Sequence, residues 1–137
     1  MIKLNYNFED KVVLVTGSSA GLGYEVAKSY LKSGANLIIC SKNYKKIRKA
    51  HKSLESIKKK SQKVFSLSVD VSKAQDVYKL IKFSIKKFKK IDILINNAAI
   101  LGPKGHIEKI NWKKWMKTIE VNLLGSVLLC KIIIPHF

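Results

Sequence analysis

The stretch VVLVTGSSAGLG, residues 12–23, restricts the possible folds more than any other part of the chain. Val12, Val13, Leu14 and Val15 form a short, mostly β-branched apolar run, which predicts a strand covered on both faces, as in a parallel sheet. Thr16-Gly17-Ser18-Ser19-Ala20-Gly21-Leu22-Gly23 then turns the chain into a helix that begins near Leu22. A tight turn here uses positive φ, and a Cβ on it would hold a pyrophosphate away from the backbone, so glycine meets both demands. The start of the helix leaves N–H groups without partners and carries partial positive charge. Ser18 and Ser19 add hydroxyl donors. Strand, glycine-rich turn and helix in this order predict a phosphate site for a dinucleotide.

The same strand-helix unit recurs down the chain. The first helix is expected to run to Lys32, with Val26, Ala27 and Tyr30 toward the sheet and Gly34 as its left-handed cap. Asn36–Cys40 is the second strand. Asn43 caps a second helix whose Ile47, Ala50, Leu54 and Ile57 share a face. Val64–Val69 is the third strand, closed by Asp70-Val71, and Ser72 with Gln75 reads as a capping box for a third helix. That helix carries the stripe Val77, Leu80, Ile81, Ile85 and Phe88. Ile91–Ile95 is the fourth strand, and residues 100–111 read as a mobile loop. A last helix, from Trp112 to Ile134, is apolar on most sides, which predicts burial in a larger structure or at a subunit interface. The pattern defines an α/β class, a Rossmann-type doubly wound parallel sheet of four strands in the order 3-2-1-4, with its ligand across the carboxyl ends.

The length of 137 residues predicts one domain. The formal charge of +18 is nearly all lysine, and Arg48 is the single arginine. Proteins that read base sequence favour the arginine fork, so the charge reads as solvated helix faces that attract phosphorylated ligands and argues against a nucleic-acid partner. Residues 1–11 hold no apolar segment of the secretory kind, and the apolar stretch 121–134 is too short for a bilayer. Cys40 and Cys130 stand apart, without metal or redox spacing, as reduced core residues. A soluble cytoplasmic chain without metal or membrane contact is the expectation.

The residues after the second strand lie beside the adenosine ribose. An acid there selects NAD, and a basic residue welcomes the 2′-phosphate of NADP. The chain reads Ser41-Lys42-Asn43, so NADP is the expected cofactor, with NAD as the alternative.

Four features now stand in order: Thr16-Gly17-x-x-x-Gly21-x-Gly23, Asp70-Val71, Asn96-Asn97-Ala98, and Val121-Asn122-Leu123-Leu124-Gly125 within the last helix. Together they resemble the short-chain dehydrogenase/reductase family from about residue 9 onward. The resemblance implies that Gly17, Ser18, Ser19, Gly21, Leu22 and Gly23 line the pyrophosphate, while Ser41 and Lys42 face the 2′-position. Asp70 would accept from the adenine amino group, and the Val71 backbone would lie beside the ring. Asn97 would sit near the ribose, and Asn96 would tie neighbouring strands. Asn122 matches the family's active-site asparagine, which bends its helix and holds a water of the proton relay. Ala99 replaces a usual glycine, which narrows the approach to the cofactor.

The family's serine and its Tyr-x-x-x-Lys pair lie beyond the next strand, after the Pro135-His136-Phe137 with which this sequence stops. Tyr24 and Lys28 share that spacing, but they lie on the first helix, just past the phosphate turn, and are rejected as the catalytic pair. The expectation is the cofactor-binding N-terminal portion of an oxidoreductase acting on a carbonyl or alcohol, without turnover by these residues alone. Its last helix would pair with a second copy in a homo-oligomer. A fourth strand left as an apolar edge predicts marginal stability or association. A non-catalytic dinucleotide-binding module and a basic nucleic-acid binder are the alternatives.

Overall fold

All five residues of the first strand, Val12–Thr16 (β1), are buried, as a strand covered on both faces must be. The computed structural model describes residues 6–137; residues 1–5 lie outside them. Asn36–Ser41 (β2), Val64–Ser68 (β3) and Ile93–Ile95 (β4) complete a parallel sheet in the order β3-β2-β1-β4. Its register sets Leu14 beside Ile38 and Leu94, and Ile38 beside Phe65.

Alternation along the strands divides the core into two layers. Val13, Val15, Leu37 and Ile39 meet Ala27 and Leu31 of Gly21–Lys32 (α1), and Ile47, Ala50 and Leu54 of Tyr44–Glu55 (α2). On the other face, Val12, Leu14 and Ile38 meet Val77, Leu80 and Ile81 of Ala74–Phe88 (α3). Leu129 and Ile133 of Gly125–Ile133 (α5) join that second layer.

Several local expectations require correction. The buried line of α1 is Gly23, Ala27 and Leu31, whereas Val26 and Tyr30 lie half-buried on its flank. Tyr30 packs edge-on against Phe8 instead, with ring centroids 4.8 Å apart. Ile57 is exposed because α2 ends at Glu55. Ser72 and Gln75 form no capping box: Lys73 is the cap residue, without a side-chain hydrogen bond. The Ser72 hydroxyl and amide donate to Asp70 Oδ1 at 2.6 and 3.0 Å, so a charged acceptor two residues away wins the serine. Asp76 reaches back from α3 to accept from the Asp70 amide at 2.9 Å. The fourth strand is shorter than expected, because Asp92 meets β1 by side chain. The Val12 amide donates to Asp92 Oδ2 at 2.8 Å, and the Asp92 amide returns a bond to Val12 O.

The last helix is not uniform. Trp112–Ile119 (α4) passes through a π-turn over Glu120–Leu124 before α5 resumes the α pitch. The helical run Trp112–His136 is 25 residues, long and apolar enough by length and composition alone to cross a membrane, which the stretch 121–134 by itself is not. It lies along the sheet beside α3, with Val121, Leu129 and Ile133 buried there. Gly125 permits the close approach: a Cβ at that position would stand 2.8 Å from Val71 O.

Candidate functional site

The carboxyl ends of all four strands open on one cavity of about 210 Å³. Gly17 and Ser19 bound it from the turn after β1, Ser41 and Lys42 from the end of β2, and Asp70 and Val71 from beyond β3. Ala98, Ala99 and Ile100 close it from the segment after β4, with Val121 from the π-turn behind them. Ligands of open parallel sheets bind at this position, beside the strand that starts the reversal of order.

Gly17 and Gly21 both sit at positive φ, +63° and +58°, so the turn uses the conformations that glycine alone adopts without strain. A Cβ on Gly21 would meet nothing within 4 Å, so the space over the turn is open. Ala20 precedes α1 without a side-chain cap, so its side chain makes no hydrogen bond to the first helical amides. Gly23 has another purpose. Its missing Cβ makes room for Asn97 Nδ2, which would otherwise collide with it.

Asn97 and Thr16 lock the turn to β4. Asn97 Nδ2 donates to Thr16 O at 2.9 Å and to Gly17 O at 3.2 Å. The Thr16 hydroxyl, buried, accepts from the amides of Asn97 and Ala98 at 3.1 and 3.0 Å and donates to Ile95 O. The strand-tying role expected of Asn96 therefore belongs to Asn97, and Asn96 reaches Cys130 Sγ at 3.4 Å instead. Thr16 stood inside the motif without an assigned role, since only its long-range partners give it one.

The serines divide likewise. Ser18, expected as a hydroxyl donor to the ligand, is fully buried. Its hydroxyl donates to Val15 O at 2.8 Å and accepts from the Cys40 amide at 3.1 Å, bracing β1 against β2. Ser19 lines the cavity. Leu22 is 75% exposed and does not line it. Cys40 is buried, and that burial pushes its thiol up to about 12, so it stays neutral and inert. The Tyr24 hydroxyl pairs with Ser53 Oγ at 2.7 Å, between α1 and α2 and not within the cavity at the strand ends, in keeping with its rejection as a catalytic group.

Asp70 is partly buried, which by itself raises a carboxyl, but the Ser72 hydroxyl and amide and the charges of Lys117 and Lys42 outweigh that and hold it below the usual carboxylate range. Lys117 closes the network, with Nζ 2.7 Å from Ser72 Oγ and 3.2 Å from Glu120 Oε2. Asp92 is likewise lowered: burial raises it, and the Val12 amide, Lys90 and Lys11 more than reverse this. A depressed folded pKa contributes stability above the unfolded value, and that contribution is lost as pH falls through the folded one. Stability is therefore expected to fall as the pH is taken below about 4. Asp92→Asn should flatten that acid limb in urea titrations at successive pH values, and an unchanged limb would refute the assignment.

Asn122 stands in the centre of the π-turn. Its Oδ1 accepts from the Ile100 amide at 2.9 Å, and its Nδ2 donates to Ile100 O at 3.0 Å. A polar side chain inside an apolar helix is thus paired with the backbone at the mouth of the cavity, and the helix widens there to a π-turn.

A glycine turn at the tip of β1, an open hollow above it and a cavity across the strand ends define a Rossmann-type nucleotide-binding domain. The family model for short chain dehydrogenases matches residues 11–137. The chain belongs to that family. It is 35% identical over 130 residues to dehydrogenase/reductase SDR family member 4 of Caenorhabditis elegans, covering 94% of this chain and 49% of that protein. It is 32% identical to the L-fucose dehydrogenase of Oryctolagus cuniculus, over 94% of this chain and 43% of the relative. Among solved structures, a 3-ketoacyl-(acyl-carrier-protein) reductase from Brucella melitensis, complexed with NADH, superposes with a TM-score of 0.87 at 29% identity, covering 96% of this chain and 52% of that one. L-Sorbose reductase from Gluconobacter frateurii, complexed with NADPH and L-sorbose, gives 0.88 at 27%, covering 97% and 49%. The chain spans about half the length of the relatives it matches.

Proposed function

We propose that this chain forms the cofactor-binding portion of an NADP-dependent oxidoreductase that transfers hydride between the nicotinamide and a small-molecule carbonyl or alcohol. The observation that carries the reading is the cavity beside Gly17 and Ser19, with Lys42 and no acid at the end of β2. Backbone amides at Gly17, Ser19 and Gly21 would hold the diphosphate, with Leu22 and Gly23 contributing only through the helix start. Ser41 and Lys42 would meet the ribose and its 2′-phosphate, and Asp70 with Val71 would take the adenine. Asn97 serves the ribose end indirectly, by holding the turn. When bound, the nicotinamide donates or accepts the hydride. Asn122 steadies the Ile100 backbone at the cavity mouth, and so acts as a positioning residue for the reacting end.

Two of the solved neighbours hold different cofactors, NADH in one and NADPH in the other, so the preference for NADP rests on Lys42. Fluorescence titration is expected to give tighter binding of NADPH than of NADH. Lys42→Asp should weaken NADPH at least about tenfold, the size of one charge-assisted hydrogen bond. Equal affinity of the parent chain for both cofactors would remove the NADP assignment.

The last helix is proposed as the contact between copies. Leu123, Leu124, Val127 and Ile134 are exposed there, an apolar strip on an otherwise lysine-rich surface. Sedimentation velocity is expected to show a dimer or larger species that Leu124→Lys with Val127→Lys reduces to monomer. A parent chain that sediments as a monomer would refute this.

A further inference from the structure

A second hollow lies against the glycine turn, between α1 and α2. Ser19 borders both it and the cavity at the strand ends, and Ala20 and Gly21 line it. Lys46, Lys49 and Ser53 enter it from α2 at spacings of three and four residues, which place them on one helix face. Tyr24 faces them from α1. No acidic residue lines this hollow, and none of the ion pairs among the described residues uses Lys46 or Lys49. The Tyr24 and Ser53 hydroxyls share one hydrogen bond of 2.7 Å, so one of the two protons is left to donate outward. Two ammonium groups without an ion pair among the described residues and a spare hydroxyl line one hollow that Ser19 joins to the nucleotide cavity. That is a recognition set for a phosphate monoester dianion.

We propose that Lys46 and Lys49 complete the site for the cofactor's 2′-phosphate, closing on it from α2 while Lys42 meets it from the end of β2. The inference rests on the dinucleotide reading above and extends it: discrimination between NADP and NAD is distributed over three lysines. Lys42 alone marks the ribose. Lys46 and Lys49 supply the further positive charge that a dianion requires, and because they lie outside the ribose cavity they leave the unphosphorylated cofactor untouched.

The test is fluorescence titration of the full chain with NADPH and with NADH, in the parent, in Lys46→Gln/Lys49→Gln, and in the control Lys45→Gln/Lys52→Gln. The control removes the same charge from the same helix without touching the hollow. The cavity pair is expected to weaken NADPH about a hundredfold or more and NADH less than twofold, as removing two charge-assisted hydrogen bonds from one ligand would do. The control should change both by less than twofold. An unchanged NADPH-to-NADH ratio in the cavity pair would overturn the proposal, and so would an equal loss in the control, which would assign the effect to the bulk field of the protein. A parent chain that binds neither cofactor would overturn the underlying dinucleotide reading instead, and thermal melts of all three proteins identify any loss caused by unfolding.

Discussion

Thr16→Val is expected to destabilise the protein by about 2–5 kcal/mol and to lower its melting temperature by roughly 8–20 °C. The substitution keeps the shape of the side chain, so packing between β1 and its neighbours is conserved. It removes the hydroxyl that accepts from the Asn97 and Ala98 amides and donates to Ile95 O. These groups then lack a partner in a place where the threonine is 1% exposed, and each unmet group costs about 1–3 kcal/mol. The segment after β4 would also detach from the phosphate turn, so NADPH affinity should fall with stability. Thr16→Ser retains the hydroxyl and should recover most of both. A Thr16→Val protein that melts within about 2 °C of the parent would show that the hydroxyl does not hold the turn.

Gly17→Ala is the second large effect, and its comparison with Gly21→Ala separates folding from binding. Both glycines have positive φ, which costs alanine about 1–2 kcal/mol. At Gly17 the new Cβ would also stand 2.7 Å from the Ala98 Cα. That backbone cannot retreat without breaking the Ala98 amide bond to Thr16, so the expected loss is about 3 kcal/mol or more. At Gly21 the Cβ would meet nothing within 4 Å. The folded protein should therefore accept it at the conformational cost alone, while the methyl occupies the space proposed for the diphosphate. Urea denaturation should rank Gly17→Ala well below Gly21→Ala, with NADPH binding weakened in both. If Gly21→Ala binds NADPH as the parent does, the diphosphate does not lie over this turn.

Much of the frame was legible in the residues themselves. The runs VVLV, NLIIC and VFSLSV announce strands by local composition, and the spacing of Ile47, Ala50 and Leu54 announces a helix face. Asn43 was recognisable as a cap because its partner, the Lys46 amide, is three residues away. Ser72 was misread for the same reason of distance: serine two residues from an aspartate can serve either partner, and the charged one is the stronger. The phase of α1 was misread because its buried line includes Gly23, whose role is to make room for Asn97 rather than to be apolar.

Among the candidate site residues, Gly17, Ser19, Ser41, Lys42, Asp70 and Val71 do converge on one cavity. Ser18, Gly21, Leu22, Gly23 and Asn97 do not line it, and nothing in the local sequence of Ser18 or Asn97 could have revealed this. Ser18 is held by Cys40, 22 residues on, and Asn97 by Thr16 and Gly17, about 80 residues back. The sequence by itself determined where strands, helices and the glycine turn lie, because the forces that form them act between near neighbours and leave a periodic trace. Only the tertiary structure decided which polar side chains face the ligand space and which are spent on holding the fold. A hydrogen bond between distant residues has no period, and it exists only once the sheet has brought them together.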